Sequence, residues 1–129
     1  KNLMEAKEAT KNNNGLTLLL ALNYSGRWEL VQAAKKMARD IKSGTIALED
    51  INENGFAGYL DTAGIPDPEL LIRTSGEIRI SNFLLWQMAY SELYFTKTLW
   101  PDFRREDLYE AICEYQKRER RFGVLTTTA

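Results

Sequence analysis

The residues between Arg73 and Ser81 have the types and the spacing that bind an anion. Arg73 and Arg79 are separated by a flexible serine–glycine pair, and Ser81 and Asn82 follow closely. Guanidinium groups match phosphate oxygens in bidentate geometry. Ser81 and Asn82 are also placed to cap a following helix, and a helix N-terminus presents free N–H groups that attract phosphate. The pattern predicts a pocket for a diphosphate.

A purely structural interpretation of the same residues stays open. In that interpretation Arg73 forms an ordinary ion pair with Glu69 or Glu77, and Ser81 is only a helix cap. The grouping of both arginines, a glycine and a serine in one short loop favours the anion site over this alternative.

Glu92 is the second residue whose position could carry chemistry. It lies in the sequence AYSELYF, between an apolar helix and an apolar strand. A buried carboxylate costs free energy unless it is paired or bound to a metal. Glu92 is therefore either the partner of an arginine or a ligand of Mg²⁺, an ion that few carboxylates hold together with substrate phosphates. Spacing alone leaves both interpretations open.

The elements that position these residues alternate between strands and helices. Continuous apolar runs predict strands at residues 16–23, 70–73 and 93–96, and helices are predicted at residues 28–42, 82–89 and 106–121. Two short helices are expected within residues 45–60. This order predicts an α/β fold with a parallel sheet, in which ligands bind beyond the carboxyl ends of the strands. Because three strands make a thin sheet, we expect the chain to be part of a larger domain.

The apolar spacing within the longer helices predicts which side chains face the core. In the helix at residues 28–42 these are Leu30, Ala34, Met37, Ala38 and Ile41. In the last helix they are Leu108, Ala111, Ile112 and Tyr115, with Cys113 beside them as a buried, inert thiol.

Composition excludes several kinds of chemistry. The 129 residues include no histidine, so a Ser-His-Asp triad, histidine-bound zinc and a histidine general base are excluded within this chain. The single cysteine cannot form an intrachain disulfide and fits a reducing compartment. A net charge of −1 gives no field that would steer the chain to nucleic acid. No apolar run reaches the roughly 18 residues that cross a bilayer.

Three separated stretches of the chain resemble the cis-prenyltransferase family, most closely its bacterial undecaprenyl diphosphate synthases. They are NYSGRWE, IRTSGEIRISNFLLWQMAYSELYFTKTLWPDF and RERRFG, and they occur in the family's order. They resemble the carboxyl-terminal half of the family domain, so residues 1–129 are expected to be that part of a single domain. The implied fold is a parallel-sheet α/β fold with helices on both faces, present here only in part.

The resemblance implies roles for the residues singled out above. Glu92 matches a family glutamate linked to Mg²⁺ and to isopentenyl diphosphate, and Glu77 matches an acid that orients the arginines. Ile78 stands where some bacterial members have a histidine, so any metal role at that position is lost. The diphosphate of isopentenyl diphosphate is held by three side chains, with a fourth residue lining the site: Arg73, Arg79, Ser81 and Ile80.

The implied reaction is the condensation of isopentenyl diphosphate units onto farnesyl diphosphate with cis stereochemistry, giving the lipid carrier for cell-wall synthesis. The family's catalytic aspartate belongs to an Asp-Gly-Asn-Gly-Arg-Trp motif that this chain does not contain, so no catalytic residue is expected here. The resemblance also implies a homodimer, in which residues 121–123 reach the neighbouring subunit. It further implies a cytoplasmic location, with peripheral membrane contact through the lipid product. The alternative is a non-catalytic partner subunit of a heteromeric cis-prenyltransferase.

Overall fold

The structure, a computed structural model, describes residues 2–118. Its helices are α1 (Asn2–Thr10), α2 (Gly26–Lys42), α3 (Glu53–Ala57) and α4 (Arg105–Gln116). Its strands are β1 (Leu70–Arg73) and β2 (Glu92–Phe95), and single 3₁₀ turns lie at Leu48–Asp50 and Trp100–Asp102. The order of helices and strands confirms most of the predicted elements, and β1 ends at Arg73.

The two strands pair in parallel. Leu70 lies opposite Glu92, and Arg73 lies opposite Phe95. β1 has the predicted bounds, and β2 begins one residue earlier than predicted. α4 packs against β2, and α2 packs against α3. The predicted fold class, α/β with a parallel sheet, is confirmed.

The prediction of a strand at residues 16–23 is wrong for this chain. Within residues 2–118 the segment has no strand pairing, and every residue from Leu16 to Asn23 is exposed. Leu16 is 88% exposed and Leu18 is 75% exposed. An apolar run forms a strand only where a neighbour supplies backbone partners and apolar cover, and the described part of the chain supplies neither.

The prediction of a helix at residues 82–89 is also wrong. The segment is a series of turns, in which one α-type hydrogen bond joins the Met88 amide to the Leu84 carbonyl at 2.9 Å. Ser81, Asn82 and Leu84 have φ angles of +48°, +64° and +43°. Left-handed residues cannot continue a right-handed helix. No helix therefore begins at Ser81, and the predicted contribution of a helix N-terminus to the anion site is wrong.

The buried face of α2 differs from the predicted one because it includes a carboxylate. Its buried residues are Gly26, Glu29, Ala33 and Met37. Of the predicted inward residues, Met37 is buried and Leu30 and Ile41 are half-buried, whereas Ala34 and Ala38 are exposed. Apolar spacing could not find this face, since it does not anticipate a buried Glu29.

The remaining helices are less deeply embedded than α2. α1 is exposed along its whole length, and α4 buries Ala111 completely while Leu108 and Ile112 stay exposed. Cys113 is exposed, so the prediction of a buried thiol is wrong. Cys113 lies two positions beyond Ala111, the buried residue of α4, and so on a different side of the helix. Between residues 2 and 118 no helix is long and apolar enough to span a membrane.

Candidate functional site

Arg73 and Ser81 meet at the carboxyl end of β1. The Arg73 Nη1 donates a hydrogen bond of 3.2 Å to the Ser81 Oγ. Arg73 is the last residue of β1 and is half-buried, whereas Ser81 is exposed. The guanidinium of Arg73 is therefore held beside a hydroxyl group at a position that solvent reaches, which is the arrangement expected of an anion site.

Arg79 forms an ion pair with Glu77 in the same loop. The side chain of Arg79 is 61% exposed and that of Glu77 is 39% exposed. Glu77 therefore orients Arg79, whereas Arg73 contacts Ser81. Exposed ion pairs contribute little free energy, so a multiply charged anion can take over the Arg79 guanidinium. Ile80, half-buried, lies between Arg79 and Ser81.

The loop that carries these residues is fixed to the chain that follows β2. The Ser75 amide donates to the Thr98 carbonyl and the Gly76 amide to the Thr96 carbonyl, each at 2.9 Å. Both residues have left-handed φ angles, of +70° and +69°. The Thr96 amide in turn donates to the Arg73 carbonyl at 2.9 Å. The position of the loop thus depends on residues 96–98.

Asp107 holds residues 96–98 in place, a role that the sequence analysis missed. Its Oδ1 accepts from the Thr98 Oγ1 at 3.0 Å and its Oδ2 accepts from the Arg104 amide at 2.8 Å. The bond from the Arg104 amide, followed by that from Thr98, lowers the pKa of Asp107. The available signal was its position in the first turn of α4, where an aspartate commonly caps.

Asn82 ties the arginine loop to the start of α2. Its carbonyl accepts from the Gly26 amide, its Oδ1 accepts from the Arg27 amide, and its Nδ2 donates to the Ser25 Oγ, all at 2.8 Å. A Cβ on Gly26 would lie 2.9 Å from the Asn82 carbonyl oxygen, so glycine is required there. Asn82 was expected to cap the helix after it, and it caps α2 instead.

A buried carboxylate lies behind this junction. Glu29 is 2% exposed and accepts hydrogen bonds from the Tyr24 hydroxyl, from the Asp61 amide at 2.9 Å and from the Gln87 Nε2 at 3.2 Å. Burial, followed by the hydrogen bond to Glu29, raises the pKa of Tyr24. Three donors satisfy the charge and join α2 to two loops. A glutamate on the apolar side of a helix was the signal for this cluster.

A cleft of the described residues lies away from the arginines. It has a volume of about 620 Å³ and is mostly apolar. Its lining includes residues 19–25, Ile65 and Phe83, whereas neither Arg73 nor Arg79 lines it. The predicted anion site is therefore not part of this cleft.

The structure does not bring Glu92 to the arginines. Glu92 pairs with Leu70 at the beginning of the sheet, whereas Arg73 pairs with Phe95 at its end. Three residues of strand separate these positions by about 10 Å, and the alternation of side chains points Glu92 and Arg73 to opposite faces. The Glu92 Oε2 accepts from the Arg118 Nη1 at 2.7 Å. The structure thus contains the ion pair that was the alternative to a metal ligand.

The described residues contain no group of three or more His, Cys, Asp or Glu side chains that could hold a metal ion. Of the predicted site residues, the structure joins Arg73 to Ser81, leaves Arg79 and Ile80 in the loop between them, and separates Glu92 from Arg73. The expected contact of residues 121–123 with a neighbouring subunit lies outside the described range.

Comparison with known proteins identifies the class to which the chain belongs. Residues 1–123 match the sequence model of a prenyltransferase family described as "Putative undecaprenyl diphosphate synthase". The chain belongs to this family. Its parallel α/β sheet agrees with the family resemblance.

Individual relatives support the same assignment. An isoprenyl transferase of Chlorobaculum tepidum is 60% identical over 123 residues, which cover 95% of this chain and 46% of the relative. A ditrans,polycis-undecaprenyl-diphosphate synthase ((2E,6E)-farnesyl-diphosphate specific) of Micrococcus luteus is 57% identical over 125 residues, which cover 97% of this chain and 50% of that protein. The chain thus spans about half the length of these relatives.

A solved structure of similar fold is lavandulyl diphosphate synthase from Lavandula x intermedia in complex with dimethylallyl diphosphate. It superposes with a TM-score of 0.88 at 41% sequence identity, over 94% of this chain and 52% of that one. This likeness independently shows the α/β fold of the family.

Proposed function

We propose that this chain is the carboxyl-terminal part of a cis-prenyltransferase domain and holds its isopentenyl diphosphate site. The complete protein, meaning the whole polypeptide that carries this chain, adds isopentenyl diphosphate units to farnesyl diphosphate with cis stereochemistry. Its product is undecaprenyl diphosphate, the lipid carrier for cell-wall synthesis. The similarity to the Micrococcus luteus enzyme, whose name states this product and farnesyl diphosphate specificity, supports the choice of reaction.

The observation that carries the proposal is the Arg73–Ser81 contact at the carboxyl end of β1, with the exposed Arg79 in the same loop. Two guanidinium groups and a hydroxyl supply several donors for the oxygens of a diphosphate. Ile80, between Arg79 and Ser81, offers apolar surface to the five-carbon group that the diphosphate carries. Both parts of isopentenyl diphosphate are thereby matched.

The reaction needs charge neutralisation and alignment more than it needs a nucleophile from the protein. The C–O bond of farnesyl diphosphate breaks and its diphosphate group departs; the double bond of isopentenyl diphosphate attacks the resulting allylic carbon, and loss of a proton to the surroundings forms the new double bond. Arg73, Arg79 and Ser81 hold one diphosphate so that the reacting carbons lie within reach of each other. The family's catalytic aspartate belongs to a motif absent from this chain, so we expect the 129 residues alone to be inactive.

Mg²⁺ is the proposed cofactor, with Glu92 as its ligand in this chain. Mg²⁺ prefers oxygen ligands and is commonly held by one or two carboxylates together with water and substrate phosphates, so a single glutamate fits it. When bound, the ion would supply positive charge to a diphosphate; because Glu92 and Arg73 face opposite sides of the sheet, that diphosphate would not be the one that Arg73 of the same chain contacts. Arg118 now contacts the same carboxylate and must release it, because a guanidinium and a metal compete for one pair of oxygens.

The remaining features of the proposal concern assembly and place in the cell. The complete protein is proposed to be a cytoplasmic homodimer, with peripheral contact to the inner face of the membrane only through its lipid product. A non-catalytic partner subunit of a heteromeric cis-prenyltransferase is the alternative. Such a subunit does not require the substrate arginines, so the presence of Arg73, Arg79 and Ser81 counts against it.

An elongation assay tests the proposed function. The complete protein is incubated with farnesyl diphosphate, labelled isopentenyl diphosphate and Mg²⁺, and the lengths of the lipid products are measured. We expect long-chain products that disappear when EDTA removes Mg²⁺ and no product from the 129-residue chain alone. Failure of the complete protein to elongate farnesyl diphosphate rejects the function. Elongation by the 129-residue chain rejects the proposal that the reaction needs the rest of the domain.

A further inference from the structure

Asn82 makes an unusual set of contacts for a residue next to a ligand-binding side chain. Ser81 accepts a hydrogen bond from Arg73, and Asn82 is the next residue after Ser81. The backbone carbonyl, the Oδ1 and the Nδ2 of Asn82 form hydrogen bonds with three consecutive residues of one distant turn, namely Gly26, Arg27 and Ser25. The bond to the Arg27 amide spans 55 positions of sequence. The start of α2 and the arginine loop are therefore joined through this one residue.

The contacts replace the ordinary cap of α2. Ser25 occupies the N-cap position, but its hydroxyl accepts from the Asn82 Nδ2 while the Asn82 Oδ1 accepts the amide of Arg27. An amide of the first helical turn normally needs such an acceptor, since it has no partner inside the helix. Asn82 is thus a cap for α2 that is supplied from another part of the chain. The same bonds fix the position of Asn82 relative to α2.

The backbone of the arginine loop is shaped to make this contact. Ser81 and Asn82 both have left-handed φ angles, of +48° and +64°. Left-handed backbone at non-glycine residues costs free energy and persists only where the surroundings fix it. The three bonds of Asn82 are what fixes it here. If they were lost, Ser81 could return to an ordinary conformation and its hydroxyl would leave Arg73.

We propose that Asn82 is a positioning residue for the diphosphate site, acting through Ser81 and Arg73 without touching the ligand. The inference rests on the proposed function, because it assigns Asn82 to the isopentenyl diphosphate site described above. α2 serves as the rigid reference, anchored by its buried face and by Glu29. Asn82 transmits the position of α2 to the loop that binds the anion.

The test replaces Asn82 by glycine in the complete protein. Asn82→Gly removes the side-chain bonds to Ser25 and Arg27, but glycine still tolerates a left-handed φ. The variant therefore tests the side-chain bonds without adding backbone strain. The matched control is Asn52→Ala, which removes another asparagine cap, on the Gly55 amide at 2.9 Å in α3. Isothermal titration then measures the dissociation constant for isopentenyl diphosphate, and thermal unfolding measures stability.

We expect Asn82→Gly to raise the dissociation constant about three- to tenfold, the effect of one or two hydrogen bonds acting through the loop. Asn52→Ala is expected to lower the unfolding temperature about as much as Asn82→Gly does. It should leave the dissociation constant within about twofold of wild type. Hydrogen exchange at residues 74–82 should become faster in Asn82→Gly only. This pattern separates positioning from a general loss of stability.

Two outcomes overturn the proposal, and they are distinguishable. If wild type binds isopentenyl diphosphate and Asn82→Gly binds it equally well, Asn82 has no positioning role while the proposed function stands. If wild type does not bind isopentenyl diphosphate, the proposed function fails and the role of Asn82 fails with it.

Discussion

Arg73 and Ser81 are joined by a hydrogen bond of 3.2 Å from Nη1 to Oγ across the loop that follows β1. The bond sets the guanidinium at the strand end and leaves the serine hydroxyl exposed. Both groups can turn to phosphate oxygens without disturbing a buried contact. The relationship links the fold, which ends β1 at Arg73, to the anion that the loop is proposed to bind.

Removal of the Ser81 hydroxyl should weaken the use of isopentenyl diphosphate more than that of farnesyl diphosphate. Ser81→Ala deletes one proposed ligand and the partner of Arg73. We expect the KM for isopentenyl diphosphate to rise about three- to tenfold, with a smaller change in the KM for farnesyl diphosphate. Steady-state kinetics of the complete protein measure both constants. Ser43→Ala, at the end of α2, is the control, and equal effects of the two variants would contradict the assignment.

Loss of the buried carboxylate should destabilise the protein strongly. Glu29→Ala leaves the buried Gln87 amide, the Asp61 N–H and the Tyr24 hydroxyl without their shared acceptor. We expect the free energy of unfolding of the complete protein to fall by about 3 kcal/mol. Urea denaturation followed by circular dichroism measures it. The exposed Glu49→Ala should change it by no more than about 0.5 kcal/mol. A small effect at Glu29 would mean that the cluster is not a structural anchor.

Acid should weaken the anchor of residues 96–98. Hydrogen bonds lower the pKa of Asp107 in the folded state below its ordinary value of 3.8. Stability from the ionised group is therefore present above the unfolded pKa and is lost as the pH falls through the lower, folded pKa. We expect the stability difference between wild type and Asp107→Asn to shrink as the pH falls below about 4.

Thr98→Val provides the internal comparison for that titration. It removes the bond from the Thr98 hydroxyl to Asp107 and leaves the bond from the Arg104 amide. The stability of Thr98→Val should thus lose part, and not all, of its dependence on pH in the same range. A difference between wild type and Asp107→Asn that is the same at about pH 6 and about pH 3 would contradict the account.

The apolar segment at residues 16–23 should be protected in the complete protein. Its leucines are exposed in this chain, and the relatives named above are about twice as long. A continuous apolar run is typical of a strand covered on both faces. We expect its amides to exchange slowly with deuterium in the complete protein and rapidly in the 129-residue chain. Rapid exchange in both would show that the segment is not a strand.

The sequence predicted local features well where one kind of interaction dominates. The apolar residues of β1 and their flanking loops indicate a short strand, and the structure has it at the predicted residues. The arginine at the end of β1 and the serine after the loop are close together as spacing suggested. Both features depend on residues that are near one another in sequence.

The features that sequence could not predict depend on distant partners. Residues 82–89 are apolar enough for a helix, but Asn82 has a left-handed φ and bonds to α2, 55 positions earlier, and the chain forms turns. Glu29 interrupts an otherwise regular apolar face because three donors from other segments meet it. The strand predicted at residues 16–23 lacks a partner within the described chain. Periodicity contains no information on such contacts.

Titration of isopentenyl diphosphate into the complete protein, with Mg²⁺ present, tests the central claim most directly. Arg79→Ala removes an exposed guanidinium whose contact in this chain is Glu77, so it isolates ligand binding from folding. The control is Arg39→Ala, an exposed arginine on α2. We predict that Arg79→Ala weakens binding at least about tenfold and that Arg39→Ala leaves it unchanged. Binding by Arg79→Ala that equals wild type would contradict the proposed diphosphate site.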